Sequence, residues 1–531
     1  MINLSLTRRN FLKSAGLVTT ALSLPGCTSA LQFGNSSRRP NIVYILADDL
    51  GYGDVGCLNP ESKIKTPNID RIAQNGIRFT DAHSGSAVCT PTRYGILTGR
   101  YSFRSRLKRG VLGGYSKPLI PKDRTTVPSY LKQHGYHSAC IGKWHLGWNW
   151  PKKEDNPKQI DYSKPISGGP VDIGFDHFFG ISASLDMPPY IYLNDKTPTA
   201  IPIKRTKASP SPAFWRAGPI GDDFEFVDVL PKLTRKAVDY IDDRAKQDDP
   251  FFLYFPLPAP HTPIVPTDEF KGRSGINPYA DFVMQTDHTV GQVLDALERN
   301  GLTENTLVIF TSDNGCSPQA NYKQLEKAGH DPSWVFRGHK ADIYEGGHRI
   351  PFIAQWPAAI KPDTDTDQIT CLTDLMATCA DILGEELTDS EGEDSVSILP
   401  ALLGKAPQPI REATVHHSIN GSFSIRQGKW KLELCPGSGG WSAPRPGRAP
   451  EDAPPVQLYD LTKDISEREN LAPQHPDVVK RLTNLLQKYA DKGRSTPGKP
   501  QPNEGKVNIF MGIPKDRLPE LTADYGIAVE N

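Results

Sequence analysis

The hydrophobic pattern of this chain switches repeatedly between two periods. Asn41-Ile42-Val43-Tyr44-Ile45-Leu46-Ala47 is a continuous apolar, β-branched run that closes on Asp48-Asp49-Leu50-Gly51. Such a run suits a strand buried on both faces of a parallel sheet. The stretch TPNIDRIAQNGIRFTDAH (66–83) passes to helical spacing and back to a strand, with Asn75-Gly76 as the break. VPSYLKQHGYHSACIGKWHLG (127–147) repeats this helix–strand unit. A helix is expected over Thr234 to Ala245, then a buried strand, Pro250-Phe-Phe-Leu-Tyr-Phe-Pro-Leu257, leading into Pro260-His261-Thr262-Pro263. Tyr279 to Asn300 reads as a long amphipathic helix ended by Asn300-Gly301. The strand Thr306 to Thr311 closes on Ser312-Asp313-Asn314-Gly315; a strand over Ile350 to Trp356 and a helix around Leu372 to Leu383 follow. This alternation predicts an α/β sandwich with a large, mostly parallel central sheet.

Two stretches break the rhythm, Trp148 to Pro170 and Asp186 to Asp223, both long for connections and rich in Pro, charge and aromatics. Long loops over a rigid scaffold commonly shape binding sites. After about residue 404 the texture changes. SFSIRQGKWKLELC (422–435) and VQLYDLTKDISERENLA (456–472) read as antiparallel strands around a Pro/Gly-rich loop, and Val478 to Lys492 as a closing helix. The expected organisation is therefore a main domain over 40–404, a smaller α+β subdomain with an antiparallel sheet over 405–495, and a Pro-containing tail over 496–531.

Residues 1–27 read as a targeting segment. Arg8-Arg9 within Thr7 to Lys13 look like a twin-arginine signal, followed by a short apolar stretch, Ala15 to Leu24, too short to span a bilayer. Leu24-Pro25-Gly26-Cys27 resembles a lipobox, which predicts cleavage before Cys27 and its acylation; 28–39 is a flexible tether. The chain is thus expected to be exported, to the periplasm or the cell surface, touching a membrane only through a lipid anchor. Lys+Arg and Asp+Glu both number 61 and no basic block occurs, so nucleic acid is excluded as a partner. The eight cysteines show no C-x-x-C pair, and no dense disulfide framework is expected. Cys371 and Cys379 fall in one expected helix, about 12 Å apart by helical rise, too far to bridge.

The chemistry concentrates in SGSAVCTPTRYGILTGRYSFR (84–104). Pro91 suits a first helical turn, which places Cys89 at a helix N-terminus, where free N–H groups favour negative charge. Arg93, four residues on, returns to the same helical face. Asp48-Asp49 and Asp313-Asn314 end two strands, where open α/β sheets gather their ligands. Three carboxylates and an amide oxygen suit a hard cation, calcium or magnesium. Lys143 and His145, in Gly-Lys-Trp-His-Leu-Gly, end another strand; simple alternation would point both to one face.

The string Cys89-x-Pro91-x-Arg93 with the Thr98-Gly99-Arg100 tail resembles the signature of formylglycine-dependent (type I), arylsulfatase-like sulfatases, and the chain is most similar in kind to bacterial carbohydrate sulfatases. The resemblance covers most of 40–475 and implies an alkaline-phosphatase-like fold. It also implies that Cys89 is oxidised to formylglycine (3-oxoalanine) by a formylglycine-generating enzyme, and that its hydrated aldehyde attacks sulfur. Asp48, Asp49, Asp313, Asn314 and the modified Cys89 then correspond to the family's metal ligands, usually calcium. Arg93, Lys143 and Lys340 correspond to its sulfate-holding cations, Lys340 being preferred over the adjacent His339. His261, helped by Lys340, would protonate the leaving oxygen, and His145 would take a proton to expel sulfate. The expected substrate is a sulfated mono-, oligo- or polysaccharide, with His177, Tyr190, Trp215, His348 and Arg349 as candidate substrate contacts. The competing readings are a phosphonate or phosphate monoester hydrolase on the same fold, and a catalytically silent glycan-binding homologue.

Overall fold

The computed structural model describes residues 39–529. The expected twin-arginine motif at Arg8-Arg9, the lipobox at Cys27 and nearly all of the tether lie outside the described residues. Ten strands make the central sheet: β1 (Asn41–Asp48), β2 (Ile77–Phe79), β3 (His137–Lys143), β4 (His177–Ile181), β5 (Tyr192–Asn194), β6 (Thr197–Pro198), β7 (Phe251–Pro260), β8 (Thr306–Ser312), β9 (Phe352–Gln355) and β10 (Thr364–Thr366). Their spatial order is β10-β2-β9-β8-β1-β7-β3-β4-β5-β6. The five central strands, β8, β1, β7, β3 and β4, are all parallel, in registers such as Tyr44↔Ile309, Tyr44↔Tyr254, Leu253↔Ala139 and Lys143↔Ile181. The edges turn antiparallel: β9 runs against β8 and β2, and β5 against β4 and β6. The mostly parallel sheet expected from the apolar runs is what forms, and the loop over 186–223 supplies one of its two antiparallel edges.

The main helices are α1 (Pro67–Gln74), α2 (Cys89–Thr98), α3 (Val127–Gln133), α4 (Val229–Arg244), α5 (Pro278–Arg299), α6 (Leu375–Leu383), α7 (Pro476–Lys492) and α8 (Leu518–Tyr525). They explain why β1 is apolar at every position from Ile42 to Ala47. Val43, Ile45 and Ala47 join a core with Ile69 and Ile72 of α1, Leu233 of α4 and Val290 of α5, whereas Tyr44 faces Leu375 and Thr378 of α6 across the sheet. Cys371 is not in that helix with Cys379; it is extended, in a two-residue parallel pairing with Ala82-His83, because Asp374 caps the turn that starts only after it.

The smaller sheet is four antiparallel strands, β11 (Thr414–His417), β12 (Phe423–Gln427), β13 (Trp430–Glu433) and β14 (Gln457–Asp460). Its core is shared with the main domain, since Tyr101 and Phe103 pack among Val415, Ile425 and Leu432. The stretch from 496 is not a free tail. Val507, Ile509, Ile513, Leu521 and Ile527 are buried in the same core, so the C-terminal residues cover α7 and complete the small unit. Its few buried apolar positions are scattered irregularly among Pro and polar residues and show no period.

Candidate active site

Parallel strands end on one edge of their sheet, and here each of the five central strands delivers a polar side chain there. β8 hands over to Asp313 and Asn314, β1 ends at Asp48 and leads to Asp49, β7 leads to His261, β3 ends at Lys143, and β4 is followed by Ser184. The helix α2 adds Cys89 in its first turn and Arg93 one turn on; its N-cap, Val88, is extended, and every residue of α2 is buried. Lys340 comes from the loop before β9.

These groups touch. Arg93 donates from Nε and Nη2 to Asp313 Oδ2 at 3.1 Å and 2.9 Å, and from Nη1 to the Lys143 carbonyl at 3.0 Å. The Lys143 ammonium donates to Asp48 Oδ2 and, at 3.1 Å, to Ser184 Oγ. Lys340 Nζ lies 2.6 Å and 2.8 Å from the oxygens of Asp49, whose Oδ1 also accepts from the Asn314 amide at 2.7 Å. His261 Nε2 is 3.5 Å from Asp49 Oδ2 and 3.4 Å from Ser184 Oγ. Ligand atoms of Asp48, Cys89 and Asp313 lie within 4.8 Å of one another, as do those of Asp48, Asp49 and His261.

The donor set fits a hard cation. Asp48 Oδ1 and Asn314 Oδ1 are both buried with no hydrogen-bond partner, a costly arrangement for two acceptors in one cluster. Burial, then the charge of Asp48, pushes the Asp313 carboxyl up to about 7, in spite of Arg93. For Asp48 burial acts upward too, but Lys143, His261, Arg93 and Lys340 together hold it well below the usual carboxylate range. Oxygen-only donors, three of them carboxylates, are the chemistry of calcium or magnesium.

The two histidines are differently set. His145 Nε2 lies 2.7 Å from the Leu112 carbonyl, so that nitrogen carries the proton; Nδ1 is buried with a free lone pair. Burial, then Lys143, keeps the His145 ring well below its ordinary basicity. His261 Nδ1 donates to the Thr262 carbonyl at 2.6 Å, which leaves Nε2 facing the cluster. The expected alternation of Lys143 and His145 does not hold. β3 stops at Lys143, and His145 has φ 60°, a left-handed turn that redirects its ring after the strand has ended.

Burial pushes the Cys89 thiol up to about 11, outweighing Lys143 and Lys340. Left as a thiol, Cys89 is therefore a poor nucleophile near neutral pH, despite the helix N-terminus around it.

The five candidate substrate contacts are not brought to the cluster. His177 opens β4 opposite Ala139, at the other end of the strand from the site, and its Nδ1 pairs with Asp195. Tyr190 is buried, bonded to the carbonyls of Asp186 and Arg216. Trp215 stacks on Phe226 at 4.1 Å and donates to the Lys207 carbonyl. His348 and Arg349 are likewise not surface contacts. His348 meets His83 Nδ1 at 3.0 Å, and Arg349 pairs with Asp81 and Glu345 inside a buried network that includes Arg426 and Lys431. Apolar neighbours on both sides, Ile343-Tyr344 and Ile350, already bury this stretch. Ser184, absent from the sequence expectations, bridges Lys143 and His261; its only signal was its place three residues beyond β4.

Residues 40–385 match the family model described as Sulfatase. The chain is 34% identical over 506 residues, 87% of its length and 96% of the relative's, to an N-acetylgalactosamine-6-O-sulfatase of Bacteroides thetaiotaomicron. It is 33% identical to human arylsulfatase A, over 85% of this chain and 87% of that one. A solved structure of a 6S-sulfatase, from work on glycosaminoglycan metabolism by Bacteroides thetaiotaomicron, superposes with a TM-score of 0.74 at 32% identity, covering 85% of this chain and 99% of the other.

Proposed function

The chain belongs to the sulfatase family and is a sulfuric ester hydrolase; we propose that its substrate is an O-sulfate ester on a carbohydrate. The observation that carries this reading is the 34% identity, over nearly the whole of both chains, to a bacterial N-acetylgalactosamine-6-O-sulfatase. The same identity favours a sulfatase over a phosphonate or phosphate monoester hydrolase. A silent binding homologue would have no use for so many buried, mutually costly polar groups.

The cluster supports the division of labour. A sulfate ester brings negative charge that must be held while the S–O bond breaks. Arg93, Lys143 and Lys340 are fixed cations in a water-poor site, where such preorganised stabilisation is usually the largest catalytic contribution. Asp48, Asp49, Asp313 and Asn314 would hold a calcium ion, which supplies further positive charge and favours an ionised nucleophile. Formylglycine made from Cys89 would supply the nucleophilic hydroxyl that the thiol does not. His261 holds its Nδ1 proton on the Thr262 carbonyl, so a proton carried on Nε2 is the one available to the leaving sugar oxygen. His145, with a free lone pair on buried Nδ1, is suited to accept a proton. Ser184 keeps Lys143 and His261 in mutual register.

The N-terminal motifs support export by the twin-arginine route to the periplasm or cell surface, with acylation at Cys27, and the Cys form of the signature supports a formylglycine-generating enzyme as maturation partner. No helix among the described residues is long and apolar enough to cross a membrane.

The test is sulfate release by protein co-expressed with a formylglycine-generating enzyme, on a panel of sulfated mono- and oligosaccharides beginning with N-acetylgalactosamine 6-sulfate. Cys89→Ala is the control. Release that the substitution abolishes is the expected result. An enzyme with formylglycine at position 89 that cleaves aryl phosphonates and no sulfated sugar would overturn the assignment.

A further inference from the structure

Trp441 belongs to the Pro/Gly-rich loop of the small sheet and is 39% exposed. Among the described Phe, Tyr and Trp residues only Tyr115, at 42%, is comparably open. The two are not equivalent. The Tyr115 hydroxyl meets that of Tyr162 at 3.1 Å and its ring packs edge-on to Trp150 at 5.9 Å. Trp441 has no ring partner and no hydrogen bond at its indole N–H among the described residues.

Its backbone, in contrast, is firmly held. The Trp441 N–H donates to Asp342 Oδ1 at 2.7 Å, the Ser442 N–H to the same oxygen at 3.0 Å, and the Ser442 hydroxyl to Oδ2. Gly440 lies so close to Ala341 that a Cβ there would stand 2.3 Å from the Ala341 carbonyl oxygen. Ala341 and Asp342 directly follow Lys340, and the Ala341 N–H donates to the carbonyl of Ala87, two residues before Cys89. A bare indole is therefore mounted on the segment that carries one of the site's cations. Exposed Arg445 donates from Nε to the Trp441 carbonyl at 2.9 Å, which adds a positive charge to the same loop turn.

A lone exposed apolar side chain is ordinary. One that is rigidly held, unpartnered, beside a cation and anchored to the segment that follows Lys340 is suited to a ligand with an apolar face and a negative charge. A pyranose ring offers such a face in its C–H groups, and indole offers a broad, low-entropy surface to stack on. We propose that Trp441 is a stacking platform for a ring of the anionic sugar substrate, outside the cluster that holds the sulfate; this rests on the carbohydrate reading above.

The test uses mature, calcium-loaded enzyme and chondroitin oligosaccharides carrying N-acetylgalactosamine 6-sulfate. Trp441→Ala should raise KM about tenfold, the effect of losing one aromatic stacking contact, with kcat at saturation nearly unchanged. Trp441→Phe should restore most of the loss. In the inactive Cys89→Ala background, adding the oligosaccharides should change tryptophan emission, and Trp441→Phe should remove most of that change. An unaltered KM, or a fall in kcat accompanied by a lowered melting temperature and not rescued by Phe, would overturn the platform alone. Wild-type enzyme that cleaves 4-nitrophenyl sulfate but neither cleaves nor binds any sulfated sugar would overturn the carbohydrate reading, and the platform with it.

Discussion

Lys340 and Asp49, 291 residues apart in the chain, meet in the candidate active site with the ammonium 2.6 Å from one carboxylate oxygen and 2.8 Å from the other. Burial would lower the ammonium's basicity, but Asp49, and after it Cys89 and Asp48, keep it raised, so Lys340 is charged throughout the useful pH range. Anything that takes the oxygens of Asp49 frees the N–H donors of Lys340 for an anion.

Removing that cation should therefore have two separable effects. Lys340→Ala should lower kcat/KM by about 10²–10³, as for loss of one preorganised donor. It should also cost roughly 3–5 kcal/mol of stability in metal-free protein, because Asp49 is left as a buried charge without its counter-ion. Melting curves with calcium and with EDTA should show the larger loss in EDTA.

Calcium itself should stabilise the fold. Binding at a hundredfold excess over Kd adds about 2.7 kcal/mol to the folded state. Calcium titration followed by melting temperature should show this rise in the wild type. Asn314→Ala should weaken it, since the substitution removes one of the two unpartnered acceptor oxygens of the cluster.

The acid role proposed for His261 has a leaving-group signature. With a poor leaving group such as a sugar hydroxyl, His261→Ala should lower the rate by about 10²–10⁴. With 4-nitrophenol, which departs without a proton, the loss should be much smaller. Equal losses for both substrates would remove the assignment.

Stability should fall in mild acid through a buried histidine that takes no part in the proposed chemistry. Burial lowers the His417 ring to about 4, against about 6.5 in an unfolded chain. Between those values the unfolded state holds the extra proton, so stability declines as pH falls from about 6.5 to about 4, by at most roughly 1.4 kcal/mol per pH unit for this group. Urea unfolding across that window checks it, and His417→Phe, among Phe103 and Phe423, should flatten the slope by about one proton.

The buried network under Arg349 is a stability element. Lys431 Nζ lies 3.1 Å, 3.2 Å and 2.6 Å from carboxylates of Glu345, Glu433 and Glu467. Lys431→Met should destabilise the protein by about 3–5 kcal/mol, leaving three acids without their shared cation. The substitution Lys431→Arg should recover part of this.

How much of this was legible beforehand follows from the range of each signal. β1 and β8 are buried on both faces, so their apolar runs were unmistakable, and the acids closing them marked the strand ends where the site forms. The proposed catalytic residues Cys89, Arg93, Lys143, His145, His261 and Lys340 became candidates because they stand in strings whose neighbours are as constrained as they are. Ser184 stands in no such string; only the register of β4 against β3 brings it to Lys143. His177 and His348, which the sequence offered as substrate contacts, lie where no such string could have placed them. An imidazole in a polar context looks functional, and only the strand direction of β4 and the burial of the Asp81–Glu345 network reveal where each one goes. The C-terminal stretch was misread because its buried residues, such as Val507, Ile509 and Leu521, are spaced too irregularly to form a period.

The complete burial of α2 sets a timetable for the molecule's life. Cys89 is 3% exposed and Pro91 and Arg93 are equally enclosed, so the signature is unreadable to any other protein once the central sheet has closed over it. An enzyme that converted Cys89 to the proposed formylglycine would have to work on the emerging polypeptide, in competition with folding. A chain that folds first is sealed with an inert thiol at its centre. On the proposed formylglycine chemistry the fraction of active molecules would be settled by a race at synthesis, and slowing translation or cooling the culture should raise that fraction where supplying a formylglycine-generating enzyme to the finished protein does not.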